Sequence, residues 1–308
     1  MRMNHRVAAT AVLTVLMIVA VGLLRPTSGE SGLGATRLWL EKVAWGPQFD
    51  FIIAGDSRIY RGVSPKTLGA ELGGRVVANF GFSGLGYESA YLDAVEARLA
   101  PAALDPMILL GITPHSLTPV AVRRNGFLET SQEHPADRML ARQLAPLLRF
   151  VRPIQPVELV ETYDSIRGQR KWYYQHFHAD GWVASRKVPE TPKEGLAAYK
   201  EEFAGNEVSP DIVAGLLTRV RQWTARGIRV FGFRPPTSKA MVDLEDSISG
   251  FDEPMFVRAF EEAGGVWLNI DQFAYHSYDS SHLDRDAAVS LSHDIARQIL
   301  AATRGPAE

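Results

Sequence analysis

The stretch FDFIIAGDSR, residues 49–58, decides the fold of this chain. Its apolar run suits a strand that is buried on both faces, and Gly55 stops that run directly before an acid and a serine. In an open parallel sheet, ligands bind at the carboxyl ends of the strands. The stretch therefore predicts that Ser57 lies at the ligand-binding edge of a sheet.

Further apolar runs lack polar alternation, as buried strands do, and lie at 75–80, 107–112, 228–233 and 266–270. Apolar residues at three- and four-residue spacing, which are typical of helices, occur at 87–99, 210–226, 253–263 and 285–301. Strands that alternate with helices are joined by right-handed crossovers. We therefore expect an α/β fold with a doubly wound parallel sheet.

Residues 115–207 interrupt this alternation between the third and fourth predicted strands. Helical spacing occurs at 136–150 and 157–166, and prolines break the remainder into short pieces. A long insertion at the carboxyl end of a strand lies beside the ligand-binding edge of the sheet. We expect a largely helical insertion that serves as a cap or a partner surface.

Basic residues near the N-terminus precede an uncharged apolar stretch, residues 7–24, roughly long enough at about 1.5 Å per residue to cross most of a bilayer core. We expect residues 1–25 to form a cytoplasmic stub and an uncleaved transmembrane anchor, 26–35 a flexible linker, and 36–308 the α/β domain. The positive-inside rule then places that domain outside the cytoplasm, in the periplasm or on the outer surface of a bacterium. A cleaved signal peptide and a buried helix of a soluble core remain as alternatives.

The composition excludes several classes of site. The 308 residues carry a net charge of -2, which argues against a nucleic-acid binder, because neutralising phosphates requires clustered Lys and Arg. There is no cysteine, which excludes thiolate metal sites, a catalytic thiol and a disulfide framework. An apolar fraction of 46% is ordinary for a globular protein with a sizeable core.

A second fragment, YDSSHLDRDA at 278–287, supplies an acid and a base. Asp279 lies three residues before His282, so its carboxylate can fold back onto one imidazole nitrogen while the other faces a serine. A serine hydroxyl is a weak nucleophile that needs such a base and a third group that orients it. We therefore expect Ser57, His282 and Asp279 to form a catalytic triad for acyl transfer.

Acyl transfer also needs donors for the developing oxyanion, usually backbone N–H groups on glycine-supported turns. The segment NFGFSGLGYE at 79–88 supplies such a turn after the second predicted strand. Gly84 is our candidate donor, because a residue without a side chain lets a substrate approach the backbone.

In these segments the chain resembles the SGNH, or GDSL-type, hydrolases. The resemblance is carried by Gly55-Asp56-Ser57, by Asn79 through Gly84, and by Asp279-Ser280-Ser281-His282, and it spans roughly residues 48–112 and 208–301. It implies a three-layer, flavodoxin-like fold.

The resemblance also implies roles for individual residues. Ser57, His282 and Asp279 correspond to the family triad, and the N–H groups of Ser57 and Gly84 correspond to its oxyanion hole. No metal and no cofactor is implied.

The third family block differs in this chain. The usual Gly-x-Asn supplies a side-chain amide to the oxyanion, whereas this chain has Gly111-Ile112-Thr113. Thr113 offers only a shorter hydroxyl, and losing one donor typically costs about 10² to 10³ in rate. The anchor, the GDSR opening and the insertion are more similar to membrane-tethered relatives of the alginate O-acetyltransferase and D-alanyl-lipoteichoic-acid transfer types. Those proteins work beside multi-span membrane-bound O-acyltransferases.

Four more residues are candidates for the substrate rim: Asp56, Arg58, His115 and Arg234. Arg234 follows the fourth predicted strand, where it either meets an anionic substrate or lies on the surface.

The stretch QHFHAD places His176, His178 and Asp180 at alternate positions. On a strand they would share one face as metal ligands, but we find no strand signal there and favour a polar rim. Nearby aromatic residues, Trp172 to Tyr174 and Trp182, either stack on sugar rings or pack the insertion.

We therefore expect a membrane-anchored serine acyltransferase that moves an O-acyl group, most simply acetyl, of a cell-envelope polysaccharide through a covalent acyl-serine. One alternative is an esterase or thioesterase that uses water as the acceptor. Another is a non-catalytic scaffold that binds a glycan or an acyltransferase.

Overall fold

The computed structural model of the chain describes residues 5–24, 30–151, 160, 163, 167 and 172–303. Its strands, numbered along the chain, are β1 Glu30–Gly32, β2 Phe51–Ala54, β3 Val77–Asn79, β4 Met107–Gly111, β5 Trp172–Phe177, β6 Val183–Val188, β7 Arg229–Phe233 and β8 Val266–Trp267.

Helices fill most of the remaining described chain. In chain order they are α1 His5–Leu24, α2 Ala35–Ala44, α3 Ser57–Gly62, α4 Pro65–Glu71, α5 Ser89–Glu96, α6 Pro119–Arg123, α7 Gly126–Gln132, α8 Pro135–Val151, α9 Pro192–Glu202, α10 Pro210–Ala225, α11 Lys239–Ile248, α12 Glu253–Glu262 and α13 Arg285–Thr303. A 3₁₀ turn, His115–Leu117, follows β4.

A five-stranded sheet organises the domain, with strand order β3-β2-β4-β7-β8 and every pairing parallel. The predicted α/β fold with a parallel sheet is confirmed. Strand β2 is followed by β3 on one side of it, whereas β4 is followed by β7 on the opposite side. The loops after β2 and β4 therefore diverge, as at the switch point of doubly wound sheets, where a crevice forms between the two strands.

The sheet is covered on both faces. Because side chains alternate along a strand, Ile52 and Ala54 enter one core while Phe51 and Ile53 enter the other. The first core includes buried residues of α5, α10 and α12, namely Tyr91, Trp223 and Phe260. The second includes buried residues of α13, namely Leu291, Ile295 and Ile299.

The described part of the insertion is largely helical, as predicted, but it also contains a hairpin that was not predicted. Helix α8 covers the predicted segment 136–150, whereas 157–166 lies outside the described residues apart from 160 and 163. Helices α6, α7 and α9 also lie in the insertion, whereas β5 and β6 form an antiparallel hairpin that the sequence did not predict. Phe177 and Val183 are buried against α2 and α3, so tertiary contacts rather than local alternation stabilise these strands.

Of the predicted linker 26–35, residues 26–29 lie outside the described residues, and most of the remainder has regular structure. Residues 30–32 form β1, which pairs in parallel with β5, and α2 begins at Ala35. Nothing in ESG indicates a strand, because the pairing partner lies far along the chain in the insertion.

The predicted anchor at 1–25 gains no support from the described residues: among them, no helix combines the length and the apolar character that a membrane span requires.

Gly181, in the turn between β5 and β6, offers a test of how the hairpin docks on the sheet. Its φ is +94°, and a Cβ there would overlap the carbonyl oxygen of Asn79 in β3. We expect Gly181→Ala to lower the free energy of unfolding by about 2–4 kcal/mol, from left-handed strain plus the overlap.

Gly205→Ala is the matched control, because Gly205 has φ +68° but open space around the position of a Cβ. It should cost only the strain, about 1–2 kcal/mol. Urea denaturation of both variants measures the difference, and equal losses would show that the hairpin leaves room for a Cβ beside Asn79.

Candidate active site

Ser57 lies where β2 turns into α3. Strand β2 ends at Ala54, and Gly55 follows with φ 152°, a conformation that residues with a Cβ rarely adopt. Asp56 caps α3 by accepting a hydrogen bond from the N–H of Arg58 at 2.9 Å. Ser57 is therefore the first helical residue at the carboxyl end of a central strand, as predicted.

A tight turn before α13 presents the acid and the base. Asp279 Oδ1 accepts hydrogen bonds from the N–H groups of Ser281 at 3.0 Å and His282 at 2.7 Å. Ser280 between them has φ 70°, the one non-glycine residue with positive φ in the described chain. The carboxylate thus shapes the turn that carries the imidazole.

The three predicted groups meet in a row. His282 Nδ1 lies 2.8 Å from Asp279 Oδ2, and His282 Nε2 lies 2.8 Å from Ser57 Oγ. Since a carboxylate only accepts, Nδ1 carries the proton in neutral His282, and Nε2 is left to accept from the serine hydroxyl. This arrangement can remove the hydroxyl proton as an acyl group is attacked.

The surroundings keep the base and the acid in their working forms. Burial lowers the pKa of His282, and the positive charge of Arg61 lowers it further against the opposing effect of Asp279. Burial alone would raise the pKa of Asp279, but its hydrogen bonds from His282 and the turn amides hold that pKa at about 2. At neutral pH the imidazole is neutral and the carboxylate is charged.

Two backbone amides beside the cavity are candidate oxyanion donors. Gly84 has φ 58° and lines the same cavity as Ser57. Within the described part of the chain, neither the N–H of Ser57 nor that of Gly84 donates to a protein acceptor. Both amides are therefore available to a ligand oxygen.

The turn after β3 is held from two sides. Asn79 accepts from the N–H of Gly81 at 3.0 Å and donates to the carbonyl oxygens of Ile59 and Val63 at 2.9 Å each. Lys42, fully buried, donates from Nζ to the carbonyl oxygen of Gly81 at 2.7 Å. These bonds fix the turn relative to α3, which carries Ser57.

Thr113 does not serve as the predicted oxyanion donor. Its buried hydroxyl donates to Asp56 Oδ2 at 2.7 Å, and Thr113 is absent from the cavity wall. Asp56 does line the cavity, but its carboxylate oxygens accept from Thr113 and from the N–H of Arg58. The third block thus stabilises the cap of α3.

Arg58 and Arg234 lie beneath the site rather than on its rim, which corrects both predictions. Arg58 Nη2 is 2.6 Å from Glu245 Oε1, and Arg234 Nη2 is 3.1 Å from Glu245 Oε2. Both arginines are buried. Arg58 Nε also donates to Ser281 Oγ at 2.9 Å, so this ion-pair network supports the turn that carries His282.

A cavity of about 280 Å³ opens above Ser57. His115 lines it as predicted, with Nε2 3.7 Å from a carboxylate oxygen of Glu202. The wall also contains residues that we did not predict, Tyr60, Arg61, Ser83, Gly195, Ala198, Tyr199, Glu202 and Ser281. Arg61 could have been found from its position one helical turn after Ser57, but no local pattern identifies the four wall residues that α9 contributes.

The histidines of QHFHAD have other partners. His176 Nδ1 is 2.8 Å from Ser31 Oγ of β1, and His178 stacks on Trp182 with ring centroids 4.8 Å apart. Over the described ranges of the chain, no group of three His, Asp or Glu side chains is arranged to hold a metal ion.

No family model and no curated protein matches this chain. Among solved structures, the chain is similar to a protein provisionally described as a platelet activating factor from Streptococcus pneumonia. The two share 9% sequence identity over 94% of this chain and 98% of the other, with a TM-score of 0.35. A likeness at this level assigns neither a family nor an activity to this chain.

Proposed function

We propose that this protein is a serine acyltransferase that moves an O-acyl group of a cell-envelope polysaccharide through a covalent ester on Ser57. The observation that carries the proposal is the unbroken row of Ser57, His282 and Asp279 at 2.8 Å spacings. The acyl group, most simply acetyl, and the polysaccharide acceptor come from the sequence resemblance to SGNH-type proteins.

The first half of the reaction forms the acyl-enzyme. Ser57 Oγ attacks the acyl carbonyl carbon while His282 Nε2 takes the hydroxyl proton, and Asp279 stabilises the resulting imidazolium. The N–H groups of Ser57 and Gly84 donate to the oxyanion. The intermediate collapses as His282 returns the proton to the leaving oxygen, which leaves an ester on Ser57.

The second half transfers the acyl group. His282 Nε2 takes a proton from an acceptor hydroxyl, whose oxygen attacks the Ser57 ester. Collapse releases the acylated acceptor and restores the serine hydroxyl with the proton held by His282. With Thr113 bonded to Asp56, the third block supplies no side-chain donor to the oxyanion, and the loss of that donor would slow both halves.

An esterase or thioesterase is the second candidate, because the same base would activate water as well as a sugar hydroxyl. A non-catalytic scaffold is the third, and the diversion of Thr113 to Asp56 favours it. A multi-span membrane-bound O-acyltransferase would be the natural partner of either the transferase or the scaffold.

The proposal includes a membrane anchor at residues 1–25 and a domain outside the cytoplasm, supported by the uncharged apolar run 7–24. Release of the protein from membranes by alkaline carbonate would contradict it.

Removing the nucleophile tests the acyl-enzyme. We expect wild-type protein to gain the mass of a fluorophosphonate adduct, and Ser57→Ala to gain none, because Oγ is the only atom that His282 activates. Ser83→Ala, which removes another cavity hydroxyl, should react as the wild type does.

Intact-mass spectrometry reads all three proteins. An adduct that persists on Ser57→Ala refutes the assignment of the nucleophile, and an unreactive wild type favours the scaffold.

The pH profile should report His282. Because burial and Arg61 lower its pKa, the neutral base persists below the usual histidine pKa of about 6.5. We expect kcat/KM for an acetyl ester to rise with pH through a midpoint below about 6.5 and then to level off.

In Asp279→Asn, losing the carboxylate should move that midpoint to lower pH, since Asp279 raises the pKa of His282, and kcat should fall about 10⁴-fold. The control is Asp286→Asn, which replaces an exposed acid in the first turn of α13 and should change neither the midpoint nor kcat. A wild-type midpoint above the usual histidine value would contradict the assignment of His282 as a base that is held neutral.

Transfer and hydrolysis can be separated by competition. We expect an added envelope polysaccharide to become acylated and to suppress the release of free acid, because the polysaccharide and water compete for the same Ser57 ester. Mass spectrometry of the sugar and titration of the acid measure the two products. Undiminished hydrolysis with no acylated sugar would favour the esterase.

A further inference from the structure

Arg61 lies in the candidate site, yet the proposed reaction gives it no contact with substrate. It is on α3, four residues after Ser57, so the two side chains share one face of the helix about 6 Å apart along its axis. Both residues line the cavity. A guanidinium therefore lies one helical turn from the nucleophile.

Among the described residues, only phenol hydroxyls bind the guanidinium. Nη1 donates to the hydroxyls of Tyr173 and Tyr278, the latter at 2.7 Å, and Nη2 donates to Tyr60 at 3.2 Å. Its Nε is buried without a partner, and no described carboxylate lies within 4.0 Å of Arg61. Phenols are neutral at physiological pH, so these contacts leave the positive charge unbalanced.

The other arginines of this region are balanced. Arg58 and Arg234 share Glu245, and Arg234 also contacts Asp246 and Glu253, each at 2.8 Å. Charges taken out of water are normally paired, because an unpaired one loses its hydration without compensation. Arg61 is the exception within the described chain around this cavity.

Three carboxylates line the cavity, and each has another partner: Glu202 lies 3.7 Å from His115 Nε2 and is not within 4.0 Å of Arg61. Asp279 is bonded to His282 and to its own turn, and Asp56 accepts from Thr113 and from the amide of Arg58. A counter-charge for Arg61 would therefore come from a bound molecule.

A purely structural role would not require the charge. Arg61 does connect α3 to the hairpin, since its carbonyl oxygen accepts from Trp182 Nε1 at 2.9 Å and its side chain reaches Tyr173. A neutral donor would bond to phenol oxygens equally well. These contacts therefore do not explain why the side chain at this position is positively charged.

We propose that Arg61 binds an anionic group of the substrate, a carboxylate one helical turn from the ester that Ser57 attacks. The inference rests on the proposed function for the position of that ester. It makes Arg61 a specificity-determining residue that favours esters with a negative charge near the reacting carbonyl over neutral ones.

Binding to Ser57→Ala tests the inference without turnover. The probes are para-acetoxybenzoate, in which a benzene ring separates the ester oxygen from a carboxylate, and its neutral methyl ester. By isothermal titration calorimetry we expect the anion to bind at least about tenfold more tightly, as a charge-assisted hydrogen bond allows.

Adding Arg61→Gln to Ser57→Ala should abolish this preference, whereas Arg61→Lys should retain part of it. Arg226→Gln, which removes a surface arginine paired with Glu96, is the matched control and should leave the preference intact. In proteins that retain Ser57, Arg61→Gln should lower kcat/KM for the anion at least tenfold more than for the methyl ester.

The measurement on Ser57→Ala alone needs no change at Arg61, so a folding defect in the Arg61 variants does not obscure it. If Ser57→Ala shows no preference for the anion, or binds neither probe, the inference is overturned. It is also overturned if Arg61→Gln lowers kcat/KM equally for the anion and for its methyl ester. An anion preference in a protein whose Ser57 never reacts with a fluorophosphonate would instead overturn the proposed function and retain the anion site.

Discussion

The hydrogen bond between His282 Nε2 and Ser57 Oγ joins residues 225 positions apart, and the rest of the site depends on it. It requires the start of α3 and the turn before α13 to meet at the carboxyl edge of one sheet. Helix α13 supports that meeting, because its buried residues fill the core under the sheet and Ser292 Oγ accepts from the N–H of Ser64 at 2.8 Å. The length of this bond is therefore set by the packing of a whole layer.

Two arginines near the nucleophile differ in how their charges are paired. Arg58 is buried and paired with Glu245, and it donates a hydrogen bond to Ser281. Arg58 therefore stabilises the turn that carries His282. Arg61 faces the cavity, contacts neutral hydroxyls and lowers the pKa of His282. The same helix thus carries one arginine that is paired with a carboxylate and one that lines the cavity with no described carboxylate within 4.0 Å.

The insertion completes the cavity rather than covering it from a distance. The N–H of Thr191 donates to the carbonyl oxygen of Tyr278 at 2.8 Å, and Gly195 approaches the backbone of Asp279 so closely that a Cβ would overlap it. Tyr199 accepts from Ser281 Oγ at 2.9 Å. Helix α9 is therefore built against the turn of the acid and the base, and changes in the insertion would alter the shape of the site directly.

The sequence by itself predicted the parallel sheet, the position of Ser57 after a buried strand and the pairing of Asp279 with His282, because buried strands, glycine turns and a three-residue spacing are local patterns with local causes. Only the tertiary structure decided that Thr113 bonds to Asp56, that Arg58 and Arg234 share Glu245, and that none of the described carboxylates lies within 4.0 Å of Arg61. The tertiary structure also decided that residues 30–32 form a strand that pairs with the hairpin, because this pairing brings together distant segments of the chain. Which partner a polar side chain finds depends on what else is buried beside it, and residue spacing along the chain does not record that.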